Sequence, residues 1–177
     1  MKNILTLILG TIPNFLFSQN NDAPNIVLFL CDDMGFSDLG CYGSEINTPN
    51  IDSLAENGIK FINFKNCGRS CPSRASLLTG RYQHQVGMGW MTAVDEHREG
   101  YRGQISNKYP TIAEILNKSG YKTYMSGKWH LTVDGSLDKP NGSFPCQRGF
   151  DRYYGCVHGG GSYFKPVPLY NDLVKID

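Results

Sequence analysis

Residues 70–81 contain the stretch Ser70-Cys-Pro-Ser-Arg-Ala-Ser-Leu-Leu-Thr-Gly-Arg81. Pro72 fits the first turn of a helix and Gly80 favours a stop, so the stretch predicts a helix over residues 72–78 with Ser70 at its start. The N-terminus of a helix offers free N–H groups and a positive dipole end, and Arg74 follows within one turn. A hydroxyl and a cation placed at this helix end could bind a tetrahedral oxyanion. The simpler alternative is a capped helix with a surface arginine.

Upstream of this helix, the sequence alternates between strand-like and helix-like segments. Residues 60–66 alternate apolar and polar side chains, which is typical of a strand. Thr48 and Pro49 predict the start of a helix that Gly58 can end in the left-handed conformation. The continuous apolar run at residues 25–31 predicts a strand buried on both faces.

Downstream of it, the same alternation continues. Thr111 and Glu114 form a capping box that predicts a helix ending near Lys118. Residues 121–125 predict another strand, and the chain from residue 144 onward predicts loops. Strands that alternate with helices indicate an α/β fold, with a mostly parallel sheet sandwiched by helices. In such sheets ligands bind at the carboxyl ends of the strands.

Two acidic residues follow the first predicted strand. Asp32 and Asp33 are adjacent, and two carboxylates at close range favour a cation between them. Hard oxygen ligands suit calcium or magnesium. An acidic turn before Gly35 is the structural alternative.

Two further polar residues follow the strand predicted at residues 121–125. Side chains alternate along extended backbone, so Lys128 and His130 are predicted to share one face. Lys128 can neutralise an anion, and His130 can share or transfer a proton. A solvated lysine beside a loop histidine is the alternative.

The length, net charge and composition of the chain limit the class of protein to which it can belong. A chain of 177 residues fits one domain, and its net charge of +1 gives no bulk basic surface for nucleic acid. Residues 1–18 predict a cleaved export signal, whose apolar run is too short and too interrupted for a membrane span. The predicted domain that follows is residues 23–177. Six cysteines in an exported chain permit disulfides, but their pairing cannot be deduced from the sequence.

Several segments occur together in an order that is typical of one family. The signature-like stretch at 70–81 is accompanied by residues 25–35, 48–58, 120–130 and 149–155. Together they resemble the type I, formylglycine-dependent sulfatases of the alkaline phosphatase superfamily, which include the arylsulfatases. The resemblance implies the α/β fold of that superfamily and covers nearly all of the chain after the export signal, as an N-terminal part of the catalytic domain.

The resemblance also implies a modified residue. The modified position lies two residues before Pro72, so it is Ser70, and Cys71 occupies the variable position. A sulfatase-modifying enzyme would oxidise Ser70 to formylglycine, an aldehyde. One oxygen of its hydrate attacks sulfur, and the other later expels sulfate as the aldehyde re-forms.

Further roles are carried over from the family. Asp32, Asp33 and an oxygen of modified Ser70 are predicted to bind calcium. Among the other catalytic residues, Arg74 is predicted to hold the hydrate. Lys128 is predicted to bind sulfate oxygens, and His130 to accept the proton of the hydrate.

Function and location follow as expectations. The resemblance implies a periplasmic or secreted sulfuric ester hydrolase that acts on a sulfated small molecule or glycan, without stable membrane association. The loop at residues 158–163 could line the substrate pocket. Family residues that complete the metal site have no match here, so the 177-residue chain alone is predicted to be a fragment with poor calcium binding and little activity. A phosphate ester hydrolase using unmodified Ser70, or a vestigial anion-binding protein, are the alternatives.

Overall fold

The computed structural model describes residues 23–162, 164–165 and 168–176. The chain divides into two compact units, Met1–Cys31 and Asp32–Asp177. The export signal predicted for residues 1–18 lies outside the described residues. All six cysteines have free thiols.

Residues 23–31 are the described part of the first unit, and they contain no regular secondary structure. The strand predicted at residues 25–31 is therefore wrong for this structure. A strand needs a neighbour to receive its backbone hydrogen bonds, and no described strand pairs with this run. Its side chains are correspondingly exposed, with Val27 at 72% and Phe29 at 80%.

The strand predicted at residues 60–66 is also not formed, for the same reason. Phe61 and Ile62 are both well exposed. The local alternation of side chains is present, but no described strand lies beside it.

The described part of the second unit contains three α-helices: α1 at Pro49–Asn57, α2 at Ser70–Thr79 and α3 at Ile112–Lys118. Short 3₁₀ turns occur at Phe36–Asp38, Gly40–Tyr42, Gln83–Val86, Asp134–Ser136 and Pro145–Arg148. Within the described ranges, none of the helices combines the length and apolar character that crossing a bilayer requires.

The helix ends show which sequence signals were effective. The stop predicted at Gly80 is confirmed, because Gly80 ends α2 with φ 62°, in the left-handed conformation. At α3 the predicted capping box is confirmed, because Glu114 N–H donates to Thr111 Oγ1 at 3.1 Å and Thr111 N–H donates to Glu114 Oε2 at 2.7 Å. Gly58, in contrast, ends α1 with φ −133°, so the left-handed stop predicted there is wrong.

Four short strands form one mixed sheet in the described residues, in the order β1-β2-β3-β4. Their bounds are β1 Tyr124–Ser126, β2 Arg152–Cys156, β3 Leu169–Asn171 and β4 Val174–Ile176. The pair β1 and β2 is parallel, with Met125 opposite Tyr153, and the two other pairings are antiparallel.

The last three strands correct the prediction of loops from residue 144 onward. Within β2, Tyr153 and Gly155 are buried while Tyr154 is exposed, which is the period-two pattern of a half-buried strand. The run is short and interrupted by glycine, so its pattern is weak in the sequence. Its pairing with β1, almost 30 residues earlier, supplies the hydrogen bonds that stabilise it.

The hydrophobic core lies beneath the loop that follows β1. Trp129 in that loop is fully buried, and its indole N–H donates to the Ser143 carbonyl at 2.8 Å. The core comprises Cys71, Ala75, Val86, Met88, Ile105, Trp129, Leu131, Phe144, Tyr153, Val157 and Tyr170. A buried tryptophan between Lys128 and His130 anchors the backbone from which both polar side chains project.

Candidate active site

Three segments of the second unit meet at the N-terminus of α2. Ser70 is the first residue of that helix, and its hydroxyl oxygen lies 3.1 Å from Arg74 Nε and 3.1 Å from His130 Nδ1. Arg74 reaches Ser70 because residues four apart lie on the same helix face. Ser70 Oγ accepts from Arg74, so its own proton is available for His130 Nδ1.

Cys71, the neighbour of Ser70, points the other way. It is fully buried, and its sulfur lies 3.7 Å from the sulfur of Met91. Burial raises the pKa of the Cys71 thiol. Of the two adjacent side chains, Ser70 alone belongs to the polar cluster at this helix end. We call it the Ser70 cluster, and it comprises Asp32, Ser70, Arg74, Lys128 and His130.

Arg74 connects the segments of the Ser70 cluster. Its side chain is 8% exposed, and it donates to Ser70 Oγ, to the Lys128 carbonyl at 2.6 Å and to Asp32 Oδ1 at 3.1 Å. A guanidinium presents five N–H donors in a rigid planar fork, so one side chain can hold three partners in fixed positions.

Asp32 lies between two cations. Lys128 Nζ donates to its Oδ2 at 2.7 Å, opposite the Arg74 contact at Oδ1. Partial burial alone would raise the pKa of Asp32, but hydrogen bonds from Lys128 and Arg74 outweigh burial and hold the pKa below its ordinary value of 3.8. Asp32 is therefore ionised at neutral pH.

His130 is 6% exposed and is held in the left-handed region, with φ 59°. Its backbone N–H donates to the Val157 carbonyl at 3.0 Å, beyond the end of β2. Burial and the nearby positive charges of Lys128 and Arg74 outweigh the opposing charge of Asp134 and lower the pKa of His130 to about 4. Its imidazole is therefore neutral at pH 7.

Lys128 and His130 reach the cluster by a route that differs from the predicted one. β1 ends at Ser126, so both residues lie in the following loop and not on one face of a strand. The buried ring of Trp129 and the left-handed turn at His130 aim the two side chains towards Ser70 and Asp32.

The predicted calcium ligands are brought together only in part. Asp33 follows Asp32 with φ 53°, and its carboxylate makes no hydrogen bond or ion pair with the described residues. Among those residues, no group of three or more His, Cys, Asp or Glu side chains is placed to hold a metal. The donor chemistry of Asp32, Asp33 and the Ser70 oxygen nevertheless fits a hard divalent cation, because all three supply oxygen.

Residues without a local motif also lie around His130. The ring of His158 is stacked near the ring of His130, with centroids 6.4 Å apart. His158 Nε2 lies 3.5 Å from Asp134 Oδ2, and Thr92 donates to Asp134 Oδ1 at 2.9 Å. Asp134 and Thr92 were missed from the sequence, because 42 residues separate them and neither stands in a recognisable motif.

Comparison with known proteins identifies the family of the chain. The sequence profile of the family described as "Sulfatase" matches residues 24–170. The chain belongs to the sulfatase family. The chain is 38% identical to an arylsulfatase of Klebsiella aerogenes over 155 residues, which cover 86% of this chain and 32% of that protein. It is 44% identical to human arylsulfatase A over 135 residues, covering 75% of this chain and 25% of that protein.

Solved structures also resemble the chain, among them the PsFucS1 sulfatase from Pseudoalteromonas sp., with a TM-score of 0.59 at 31% identity, covering 74% of this chain and 25% of that one. The crystal structure of Ps i-CgsB superposes with a TM-score of 0.64 at 29% identity, covering 82% of this chain and 35% of that one. The same protein has been solved in complex with k-i-k-neocarrahexaose. These neighbours confirm the predicted α/β fold class of the sulfatases. The chain spans about a third or less of the length of the relatives named here.

Proposed function

We propose that the protein is a calcium-dependent sulfuric ester hydrolase whose reacting group forms at residue 70. The observation that carries this proposal is the Ser70 hydroxyl, held between Arg74 Nε and the neutral ring of His130 at 3.1 Å each. Lys128 adds a second positive charge through the shared partner Asp32. A polar side chain at a helix N-terminus, next to one cation and a neutral base and with a second cation in the same cluster, suits attack on a sulfate ester.

Formylglycine at residue 70 would supply, as its hydrate, one oxygen that displaces the alcohol of the ester from sulfur and a second whose deprotonation re-forms the aldehyde and releases sulfate. The chain's own residues then have separate tasks. Arg74 holds the oxygen at residue 70 in the position where Ser70 Oγ now lies. His130 presents Nδ1 to that oxygen and can accept its proton, because the ring is neutral at pH 7.

The two cations of the cluster stabilise negative charge. Lys128 and Arg74 both face Asp32, so their charges are held in place before any substrate binds. Preorganised charges of this kind stabilise a transition state without the cost of reorganisation. We assign Lys128 to the sulfate oxygens, because its ammonium group is carried by a flexible side chain that remains 22% exposed.

Asp32, Asp33 and an oxygen at residue 70 would hold the calcium ion. Bound calcium would supply Lewis-acid polarisation of the sulfate group. Asp32 is ionised and Asp33 has no competing partner among the described residues, so both carboxylates have lone pairs to offer. A complete shell of about six to eight oxygens needs further ligands.

We propose a sulfated glycan as the substrate. Support comes from the structural neighbour Ps i-CgsB, which was solved with k-i-k-neocarrahexaose. A sulfatase-modifying enzyme is the second expected partner, because Ser70 needs oxidation. The predicted export signal agrees with a periplasmic or secreted enzyme that meets such glycans outside the cytoplasm.

Release of sulfate by the protein purified from its native host tests this function. We expect it to release inorganic sulfate from a sulfated oligosaccharide and to release no phosphate from the matching phosphate ester. Ser70→Ala should lower kcat at least about 1,000-fold, in the range reported for removal of a nucleophile. Ser76→Ala, on the same helix α2, is the matched control and should retain activity.

Two outcomes would contradict the proposal. Release of phosphate but not sulfate would favour a phosphate ester hydrolase that uses the Ser70 hydroxyl unmodified. Equal activity of Ser70→Ala and the parent protein would show that residue 70 does not carry the reaction.

A further inference from the structure

The ring of His130 is covered on one side by the segment His158–Gly160, which follows β2. A Cβ atom built on Gly159 would overlap the His130 imidazole at Nε2, Cε1 and Cδ2. Gly159 therefore lies directly against the ring, and any side chain at this position would displace it. The contact lies on the Nε2 side, away from the Nδ1 atom that faces Ser70.

His158 holds this segment in place through both of its ring nitrogens. Its Nδ1 lies 3.0 Å from the backbone nitrogen of Gly160 and 3.1 Å from the carbonyl oxygen of the same residue. On the other side of the ring, its Nε2 faces Asp134 Oδ2 at 3.5 Å.

Asp134 is itself fixed by two hydrogen bonds to one residue. Its Oδ1 accepts from Thr92 Oγ1 at 2.9 Å, and its backbone N–H donates to the Thr92 carbonyl at 2.9 Å. Thr92 is 1% exposed, so it provides a rigid base. A continuous series of contacts thus leads from the interior, through Asp134 and His158, to the ring of His130.

We propose that His158, Gly159 and Asp134 are positioning residues that keep His130 Nδ1 directed at the oxygen of residue 70. This inference rests on the proposed function, in which that oxygen reacts. The χ2 angle of a histidine otherwise has a broad, roughly two-fold distribution, so the ring can flip by about 180°. A flipped ring would present Cδ2 to Ser70 in place of Nδ1. The cover of Gly159, supported by the His158–Asp134 contact, prevents that rotation.

The sharpest test compares two adjacent glycines. Gly159→Ala should displace the His130 ring, whereas a Cβ at Gly160 meets nothing within 4 Å and leaves it undisturbed. The readout is the imidazole ¹⁵N spectrum of the 177-residue chain in its unmodified serine form. The four histidines are assigned by single substitution. The parent and Gly160→Ala should show His130 as one tautomer with unprotonated Nδ1, and Gly159→Ala should lose that signature.

A second pair of variants tests the contact behind the glycine. Asp134→Asn replaces the carboxylate that faces His158 Nε2 by a neutral amide, which weakens this contact and lets His158 move. We expect the His130 signals to shift in Asp134→Asn and to stay unchanged in Asp138→Asn, an exposed residue of the same loop. If Gly159→Ala fails to fold, this second pair decides the question.

The inference is overturned if every folded variant shows the His130 signals of the parent chain. Because the spectra are recorded without turnover or modification, failure of the sulfatase proposal would leave them unchanged. Normal spectra with no sulfate release by the native protein would contradict the proposed function alone. Sulfate release with spectra that are insensitive to Gly159→Ala and Asp134→Asn would contradict only the positioning role.

Discussion

Arg74 donates hydrogen bonds to its own helix and to two other segments of the chain. It reaches the Ser70 hydroxyl, the Lys128 carbonyl and Asp32, and its side chain is 8% exposed. Arg98 is a useful contrast, because its side chain is 62% exposed and contacts Glu96 and the ring of Tyr101, both within three residues of it. The two arginines therefore separate the effect of a connecting, buried charge from that of a surface charge.

We expect Arg74→Ala to lower the free energy of unfolding by about 2 kcal/mol, because several charge-assisted hydrogen bonds are lost together. Arg98→Ala should change it by less than about 1 kcal/mol, as is usual for an exposed ion pair. Urea unfolding followed by circular dichroism measures both values. Equal effects of the two substitutions would show that Arg74 does not hold the cluster together.

At the same scale, the sequence could identify the types of residue at the site but not all of its geometry. Ser70 and Arg74 share one helix, so their proximity follows from local spacing. The contact of Asp32 with Lys128 joins residues 96 positions apart and depends on tertiary structure. The left-handed turn at His130 has no local signal, because residues other than glycine seldom adopt that backbone conformation. The cover by Gly159 has none either, because this contact depends on tertiary structure.

The elements of the fold were predictable where their signals are local. Helices α1, α2 and α3 begin and end close to the predicted residues, because proline, capping side chains and Gly80 act within one turn. Strands depend on partners distant in the sequence, and the two runs at 25–31 and 60–66 have none in the described residues. The three-residue β3 and β4 are too short to show a clear period.

Helix α3 links stability to pH through Glu114. Its carboxylate accepts from the Thr111 N–H and from Nε of the fully buried Arg148 at 3.0 Å. Burial alone would raise the pKa of Glu114, but the hydrogen bonds from Arg148 and Thr111 outweigh it and hold the pKa below its ordinary value of 4.5. The ionised form is thus favoured by folding.

We expect Glu114→Gln to lower the free energy of unfolding by about 3 kcal/mol at pH 7, because buried Arg148 loses its charged partner. A lowered pKa stabilises the fold above the unfolded value of 4.5, and this stabilisation is lost as pH falls through the lower folded value. The difference between variant and parent should therefore shrink towards pH 3. Urea titrations at several pH values measure it, with exposed Glu99→Gln as the control. A difference that stays constant with pH would contradict this role.

At the scale of the whole molecule, the metal site is the feature that the described residues leave most incomplete. Asp32, Asp33 and the Ser70 oxygen provide far fewer donors than the roughly six to eight that calcium takes. The ammonium of Lys128 and the guanidinium of Arg74 also compete for Asp32. Both facts predict weak binding of calcium by the described residues.

We expect the 177-residue chain on its own to bind calcium with a Kd weaker than about 1 mM, the weak end of protein calcium sites. Isothermal titration calorimetry with calcium chloride measures the affinity, and Asp33→Asn should remove any remaining heat of binding. Micromolar binding that depends on Asp33 would show that the chain supplies a nearly complete ligand set.

The proposed reaction depends on the conversion of Ser70 to formylglycine. Peptide mass spectrometry of the protein from its native host detects this conversion on the peptide that carries Ser70. We expect a peptide that has lost two hydrogens, with the change located at residue 70 and not at Cys71. An unmodified serine, from a host that modifies its other sulfatases, would contradict it.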